Sequence, residues 1–269
     1  MNKKMGLMMA MGLLISAPLL SKDYLISTPR TSLLITANEG EKSKMQYYGV
    51  SITPVQIQNI YDAGLAFEAD SYPAFGLQTV GEKAVAITHA DGNMSLDLGV
   101  DNVKQYGIDD GEILEVLLKD KIYPVWVKQC YKGTDIITTW VEIGNAGKKP
   151  VTLFQFASAY LPMSRRDNWL THFHGSWGAE HTMDEEKLTN GQKVIANKDG
   201  LANTETDNPS FMLSLDGRPQ EESGKVFGGV LAWSGNYKLK LDVRNTALNI
   251  IAGMNEESSQ YILEPKETF

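Results

Sequence analysis

The sequence has little cysteine, no excess of positive charge, and no long hydrophobic run after its first twenty residues. Cys130 is the only cysteine among 269 residues, so an intrachain disulfide is excluded and stability must come from a packed core. The 25 basic side chains are outnumbered by 33 acidic ones, which gives a formal net charge of −8. A chain this acidic is not expected to bind nucleic acid or an anionic membrane surface.

The one hydrophobic run lies at the N-terminus. Asn2-Lys3-Lys4 is basic, Met5 to Leu20 is apolar with Pro18 inside it, and the chain then turns polar. This order is typical of a secretory signal peptide, and the run is shorter than the about 20 residues that a membrane span needs. We expect residues 1–21 to be a signal peptide and residues 22–269 to be one exported domain, periplasmic or extracellular. A buried N-terminal helix is the alternative.

Motifs of several enzyme classes are also absent. The sequence has no nucleophilic-serine motif, no phosphate-binding glycine loop and no redox pair of cysteines. Neighbouring acids such as Asp109-Asp110 and Asp184-Glu185-Glu186 are expected in solvated turns or polar loops, because 33 carboxylates make chance pairs inevitable. Cys130 lies between Trp126 and Trp140 in a strand-like stretch, where a lone thiol is expected to be a small buried side chain.

What the sequence does contain is a succession of short β-branched and aromatic runs separated by Gly, Asp and Asn turns, which is typical of an antiparallel all-β domain. The runs predicted to be strands are Thr31 to Ala37, Gln46 to Ile52, Ala84 to His89, Met94 to Val100, Glu112 to Leu118, Tyr123 to Tyr131, Asp135 to Ile143, Pro150 to Tyr160, Ser210 to Leu215, Gly224 to Trp233, Tyr237 to Val243, Ala247 to Ala252 and Gln260 to Leu263.

Turn signals suggest how some of these strands are connected. Asp91-Gly92 predicts a hairpin between the third and fourth runs, and the four runs from Glu112 to Tyr160 predict a meander. One helix is predicted after Thr53-Pro54, ending near Gly64. The sequence therefore predicts one large antiparallel sandwich with at most one or two short helices and no internal domain boundary.

The richest polar stretch surrounds two histidines. If Leu170 to His174 is a strand, His172 and His174 project from one face, as metal-binding His-x-His pairs do. Glu180 or His181 would then be a third ligand. A polar interface or a sugar contact combined with structural packing is the alternative, because only two of the four positions have ligand-like spacing and no cysteine supports a metal site.

Three tryptophans admit two interpretations. The indole faces of Trp169, Trp177 and Trp233 could stack on pyranose rings while neighbouring polar groups bind hydroxyls, or they could pack in the core. Residue type alone favours packing.

Several short motifs follow one another in a fixed order along the chain. They are Tyr72-Pro73-Ala74-Phe75-Gly76, Ala90-Asp91-Gly92-Asn93, Leu170-Thr171-His172-Phe173, Gly175-Ser176-Trp177 with Glu180, Asn208-Pro209, Leu231-Ala232-Trp233-Ser234-Gly235-Asn236, Gly253 with Asn255, and the closing Leu263-Glu264-Pro265-Lys266-Glu267-Thr268-Phe269. Over nearly the whole mature chain, this series resembles the N-terminal domain of glycoside hydrolase family 36 α-galactosidases.

The resemblance implies a fold and a role. The family domain is a large β-supersandwich of galactose-mutarotase-like architecture, packed against a (β/α)₈ barrel. That barrel supplies both catalytic aspartates for retaining hydrolysis of terminal α-galactosides. We therefore expect a non-catalytic domain of a secreted α-galactosidase, without catalytic residues, cofactor or metal of its own. Its partners would be its own C-terminal barrel and, through the parent enzyme, α-galactosides; assembly into a homo-oligomer stays open.

The same resemblance suggests residues at the rim of the active-site pocket. In some relatives an N-terminal loop borders that pocket, and Asp70 and Tyr72 lie in the corresponding segment. His174 and Trp177 are the other two binding candidates. Two alternatives remain: a stand-alone secreted carbohydrate-binding β-sandwich module, and a complete small enzyme with a histidine-based metal site.

Overall fold

A computed structural model describes residues 22–76, 81–201, 207–257 and 259–269. The predicted signal peptide lies outside the described residues, so the structure does not bear on it. No helix in these ranges is long and apolar enough to cross a membrane.

The described residues form eighteen β-strands and one short α-helix. The first nine strands are β1 (Asp23–Ser27), β2 (Thr31–Thr36), β3 (Lys44–Val50), β4 (Ala69–Asp70), β5 (Val85–Thr88), β6 (Leu98–Ile108), β7 (Gly111–Asp120), β8 (Val125–Gly133) and β9 (Ile137–Asn145). The other nine are β10 (Val151–Met163), β11 (Trp169–His174), β12 (Thr182–Lys187), β13 (Gly191–Asn197), β14 (Asp207–Ser214), β15 (Val226–Val230), β16 (Tyr237–Val243), β17 (Leu248–Met254) and β18 (Tyr261–Leu263).

The strands pair into four sheets. Sheet I has the order β1-β2-β3-β4, sheet II the order β6-β7-β8-β9, and sheet IV the order β12-β11-β14-β15. Sheet III has the order β13-β16-β17-β10-β18, and β5 also pairs with β10. All pairings between named strands are antiparallel. The all-β, antiparallel prediction is confirmed.

Two hydrophobic cores hold the sheets together. Sheets I and II and part of sheet III enclose the first core, to which Leu33, Leu114 and Leu153 contribute. Sheet IV and the strands β13, β16 and β17 of sheet III enclose the second, to which Leu213 and Leu241 contribute. Strand β10 joins the two cores because its first half pairs with β5 and β18 and its second half with β17.

The predicted helix is present where its signals lie. A 3₁₀ turn over Pro54–Gln56 leads into α1 (Ile57–Asp62). The backbone N–H of Thr53 donates to Gln56 Oε1 at 2.8 Å, which completes the N-terminal cap. Gly64 follows the helix with a φ of +63°, a conformation that glycine adopts without steric cost.

Three local predictions were wrong. Gly92 has a φ of +86°, as a tight turn requires, but β5 pairs with β10 and β6 pairs with β7, so they form no hairpin. Strand β10 was also predicted to be the fourth strand of the meander, but it belongs to sheet III. Both errors have one cause: period-two patterning identifies a strand but does not name its partner. Finally, Asp184-Glu185-Glu186 lies in β12, an edge strand, where charged side chains protect the open edge.

Candidate functional site

Asp70 and Tyr72 both lie beside the first core. Asp70 ends β4 and its Oδ2 is 3.0 Å from Lys42 Nζ, in a half-buried ion pair. Tyr72 is buried, and its hydroxyl donates to the carbonyl of Ala157 at 2.7 Å. Burial, together with the nearby Tyr131, raises the pKa of Tyr72 well above its ordinary value. Tyr72 thus joins the segment after β4 to strand β10, and its hydroxyl already has an acceptor.

A small cavity adjoins both residues. It measures about 20 Å³ and is lined by Lys42, Ser43, Asp70 and Tyr72 together with apolar side chains of sheet II and of the loops before it. This volume holds a water molecule, which needs about 10–15 Å³, and is far below the roughly 300 Å³ of a small-molecule site. Ser43 Oγ is buried there without a hydrogen-bond partner. The cavity suits an ordered water and not a galactosyl ring.

The two histidines of β11 do project from one face, as predicted, but each meets its own carboxylate. His172 Nε2 lies 3.3 Å from Glu186 Oε1, and His174 Nε2 lies 3.1 Å from Asp184 Oδ2, both on β12. Lys193 Nζ also contacts Glu186 Oε1, at 2.5 Å. Within the described ranges, no three His, Cys, Asp or Glu side chains are placed to hold one metal ion. The arrangement joins β12 to β11 and β13.

Trp177 stands on the loop between β11 and β12 and is 89% exposed. The loop is closed by its own hydrogen bonds: Ala179 N donates to Ser176 O at 2.9 Å, and Gly178 N to Glu180 Oε1 at 3.1 Å. Backbone donors, including Gly178, lower the pKa of Glu180. Gly178 and His181 have φ values of +75° and +59°, which shape this turn. A fixed backbone thus presents an uncovered indole.

The other two tryptophans are partly covered. Trp233 donates from Nε1 to the carbonyl of Asn236 at 3.1 Å and is 44% exposed. Trp169 lies beneath the guanidinium of Arg218, 5.8 Å from the ring centroid, and its Nε1 is buried without a partner. Of the three proposed stacking residues, Trp177 therefore offers the freest ring face.

Asparagines fix the loops at this end of the second core. Asn197 Nδ2 donates to the carbonyls of Gly200 and Gly235, and Asn255 Nδ2 donates to the carbonyl of Asn197 at 3.1 Å. Gly200 N donates in turn to Asn236 Oδ1 at 2.8 Å. Asn236 and Asn255 belong to the motifs that carried the family resemblance. In the structure their side chains form hydrogen bonds with backbone groups of neighbouring loops and strands.

The four candidate residues do not form one site. Asp70 and Tyr72 adjoin the first core, whereas His174 and Trp177 belong to sheet IV and its loop. No hydrogen bond or ion pair within the described part of the chain joins the two pairs.

A feature that the sequence reading missed is the outer face of sheet IV. We use this name for the side facing away from the second core. Its apolar members are Trp169, Phe173, Met183, Met212, Val226 and Val230, and Thr171, Glu185, Lys187, Ser210, Ser214 and Gly228 lie on the same side. The outward residues of β11, β14 and β15 carry no charge, and Met183, Met212, Val226 and Val230 are exposed. Thr171 Oγ1 is buried without a partner. Alternating apolar residues indicated the strands, but only the strand pairing shows that exposed apolar residues of neighbouring strands lie side by side on the outer face.

A second missed feature is an ionic network on sheet III. Lys240 Nζ lies 2.8 Å from Glu82 Oε1 and 3.4 Å from Glu256 Oε1, and Lys238 Nζ lies 2.7 Å from Glu256 Oε1. Burial would raise the pKa of both glutamates, but lysine hydrogen bonds and charges outweigh it and hold each pKa below 4.5. The network joins residues more than 150 positions apart, so no local pattern predicts it.

The fold described above defines the class of protein, an all-β domain built from small antiparallel sheets. Residues 41–264 match the family model described as "Glycosyl hydrolase family 36 N-terminal domain". The chain therefore belongs to the family of glycoside hydrolase family 36 N-terminal domains, and the resemblance is confirmed.

The relatives are named as α-galactosidases and are much longer than this chain. The chain is 23% identical to α-galactosidase Mel36A of Lactobacillus acidophilus, over 93% of this chain and 39% of that protein. It is 26% identical to the bifunctional α-galactosidase/sucrose kinase AgaSK of Mediterraneibacter gnavus, over 78% of this chain and 25% of that protein. The fold matches the crystal structure of α-galactosidase AgaA from Geobacillus stearothermophilus with a TM-score of 0.82 and 19% identity, covering 92% of this chain and 39% of that one.

Proposed function

We propose that this chain is the non-catalytic N-terminal domain of a secreted α-galactosidase. In this proposal a (β/α)₈ barrel outside the chain performs retaining hydrolysis of terminal α-galactosides. The observation that carries it is the family match over residues 41–264 in a chain that spans 39% of the length of Mel36A. Export through the signal peptide at residues 1–21 is part of the proposal and rests on the sequence pattern alone.

The outer face of sheet IV is our proposed contact with the catalytic portion. An antiparallel sheet with one solvated face normally alternates apolar and polar residues, whereas this sheet also carries exposed apolar residues on its outer side, at Met183, Met212, Val226 and Val230. Contiguous exposed apolar area of this kind is typical of a surface that another domain covers. The uncharged outward residues of β11, β14 and β15 support this role, because a covering domain would leave a buried charge there unpaired.

Trp177 extends the proposed contact beyond the sheet. A fully exposed tryptophan on a rigid turn costs little conformational entropy when it is buried in a partner, which is why such residues often dominate binding energy. Of the four predicted rim residues, Trp177 and His174 lie on the sheet IV side, and Trp177 has by far the most free surface. Asp70 keeps a possible rim role through its half-exposed pair with Lys42.

The family resemblance implies a more specific architecture than a set of four antiparallel sheets. We propose that sheets I to IV form the family's β-supersandwich of galactose-mutarotase-like type. The two separate cores, joined by the long strand β10, support that assignment. A role in assembling a homo-oligomer also belongs to the proposal.

Measuring hydrolytic activity tests the proposal that catalysis belongs to the barrel and not to this chain. The purified 269-residue chain should not hydrolyse a nitrophenyl α-galactoside, whereas the polypeptide read from the full open reading frame should. Turnover by the 269-residue chain at a rate comparable to that of intact enzymes would place the active site within it. A reading frame that continues with no barrel-length α/β sequence would remove the main support for the proposal.

A second candidate function is direct sugar binding by the isolated domain. The 89% exposed indole of Trp177, flanked by Glu180 and His181, favours this candidate because a free ring face complements a pyranose. Titration calorimetry with galactose, melibiose and raffinose decides it. Heat of binding that disappears in the Trp177→Ser variant would support a carbohydrate-binding module, and no binding up to millimolar sugar would reject it.

A further inference from the structure

Strand β15 is an open edge of sheet IV. Two hydrogen bonds flank the pairing of β15 with β14: Leu215 N donates to Lys225 O, and Leu231 N donates to Pro209 O, both at 2.9 Å. The backbone groups of Lys225 and Leu231, at the two ends of β15, therefore point toward β14. Antiparallel pairing alternates along a strand, so Phe227 and Gly229 also bond toward β14. The backbone N–H and C=O groups of Val226, Gly228 and Val230 therefore point away from the sheet. Within the described residues, β15 pairs with no other strand.

The two edges of sheet IV are protected very differently. The opposite edge, β12, carries Asp184, Glu185, Glu186 and Lys187, which is a common protection against pairing with another chain. Strand β15 has the sequence VFGGV, with no charge, no proline and an uninterrupted register with β14. Val226 and Val230 are 48% and 71% exposed. An edge with none of these protections is suited to pairing.

The edge is also self-complementary. If two copies meet antiparallel about a two-fold axis at Gly228, Val226 of each copy lies opposite Val230 of the other, and Gly228 lies opposite itself. The three residues with outward backbone groups then form hydrogen-bonded pairs, and no like charges oppose each other. Nothing lies within 4 Å of a Cβ built at Gly228, so the outer side of the strand is unobstructed at the centre of the pair. For a chain of net charge −8, an uncharged meeting point avoids placing like charges against each other.

We infer that β15 is the pairing edge of a symmetric dimer of this chain, which joins two four-stranded sheets IV into one continuous sheet. The pairing leaves both outer faces of sheet IV side by side and accessible to a further partner. This inference names the surface for the assembly role proposed above and rests on that part of the proposal. It does not depend on the activity of any catalytic portion, so the two can fail separately.

Sedimentation velocity over a concentration series of the purified 269-residue chain tests the inference. The wild-type chain should approach twice the monomer mass as concentration rises. Gly228→Pro should stay monomeric, because proline removes the central outward N–H and its ring occupies the edge, while the bonds to β14 remain. Gly228→Ala is the matched control and should still dimerise, since it keeps the N–H and its Cβ meets open space.

A second pair of variants covers the case in which Gly228→Pro does not fold, as judged by circular dichroism. Val230→Lys places a charge beside the two-fold axis in each copy and should abolish the dimer. Ile122→Lys alters a side chain of nearly equal exposure, 74% against 71%, in the turn between β7 and β8 and should leave it intact. Amide hydrogen exchange at Val226, Gly228 and Val230 should slow only at dimerising concentrations. A wild-type chain that is monomeric at its highest soluble concentration, or a dimer that survives Val230→Lys, would overturn the inference.

Discussion

Sheets II and IV present different outer faces, although both are four-stranded and antiparallel. On sheet II, Lys128 pairs with Glu142 at 2.8 Å, and Lys119 pairs with Asp101 at 2.9 Å. On sheet IV, charge is confined to the edge strand β12 and the Arg218 that pairs with it, while β11, β14 and β15 turn uncharged residues outward. The outer face of sheet II therefore carries ion pairs across its strands, whereas three of the four strands of sheet IV carry no charge on their outer side.

This difference supports the proposed contact between sheet IV and a further domain. Residues on the solvent side of a sheet are free to be polar, and the outer side of sheet II combines such ion pairs with Trp126, Cys130 and Trp140, whereas the outer side of sheet IV has charge only along one edge. Sheet IV keeps methionine, valine and aromatic side chains there, with a buried Thr171 hydroxyl that has no partner. Exposed apolar residues on the outer side of sheet IV, in a chain that spans 39% of the length of Mel36A, are the basis for proposing that another domain covers this side.

The largest expected effect is the difference in the free energy of unfolding between substitutions on the inner and outer faces of sheet IV. Leu213 is fully buried in the second core, and its neighbour Met212 lies on the outer face at 37% exposure. Leu213→Ala should lower the free energy of unfolding by about 2–5 kcal/mol, because it leaves a cavity. Met212→Ala should cost the isolated chain well under about 1 kcal/mol, since its side chain still contacts water. Urea unfolding of the three proteins measures both, and equal losses would mean that the inner and outer faces were misassigned.

A smaller effect concerns the ionic network on sheet III. The folded-state pKa of Glu256 is below 4.5, so ionised Glu256 stabilises the fold above its unfolded pKa, and this stability is lost as pH falls through the folded value. Unfolding measured between neutral pH and strongly acidic pH should therefore show a decline that is shallower in Glu256→Gln. Glu222→Gln, at an exposed position outside the network, should keep the wild-type decline. Parallel curves for both variants would show that the network contributes no pH dependence.

The smallest effect is expected on the charged face of sheet II. Lys128→Met should change the free energy of unfolding by only about 0–1 kcal/mol, because partly exposed ion pairs contribute little. That difference should shrink further in 1 M salt, which screens the pair. Lys104→Met is the control, since Lys104 lies on the same face and the described structure gives it no ion pair. A loss as large as that of Leu213→Ala would mean that sheet II is not solvated on this side.

Local patterns predicted most of the secondary structure. Tyr237–Val243 was predicted to the residue, and most other runs came within a few residues of the observed strands, because alternating burial leaves a direct trace in the sequence. Strands β1, β4, β12 and β13 were missed; β4 has only two residues, β12 has the composition of an acidic loop, and β13 is mostly polar. Which strands pair was harder to predict, because β10 pairs with β5, β17 and β18, which lie far from it in the sequence.

The candidate site was less predictable than the fold. Family motifs correctly identified the domain, whereas the contacts of Asn255 with the Asn197 carbonyl and of Tyr72 with the Ala157 carbonyl required the structure. The paired geometry of His172 and His174 was foreseeable from period two, whereas their carboxylate partners depended on the unpredicted strand β12. The exposure of Trp177 depends on tertiary structure, which composition does not report.

Methionine oxidation tests the central claim most directly, that a catalytic portion covers the outer face of sheet IV. Met212 and Met94 are equally exposed at 37%, and Met94 lies between β5 and β6, away from that face. In the 269-residue chain both should oxidise with hydrogen peroxide at similar rates. In the polypeptide from the full open reading frame, Met212 and Met183 should become strongly protected while Met94 keeps its rate. Unchanged oxidation of Met212 and Met183 in that longer polypeptide would contradict the account.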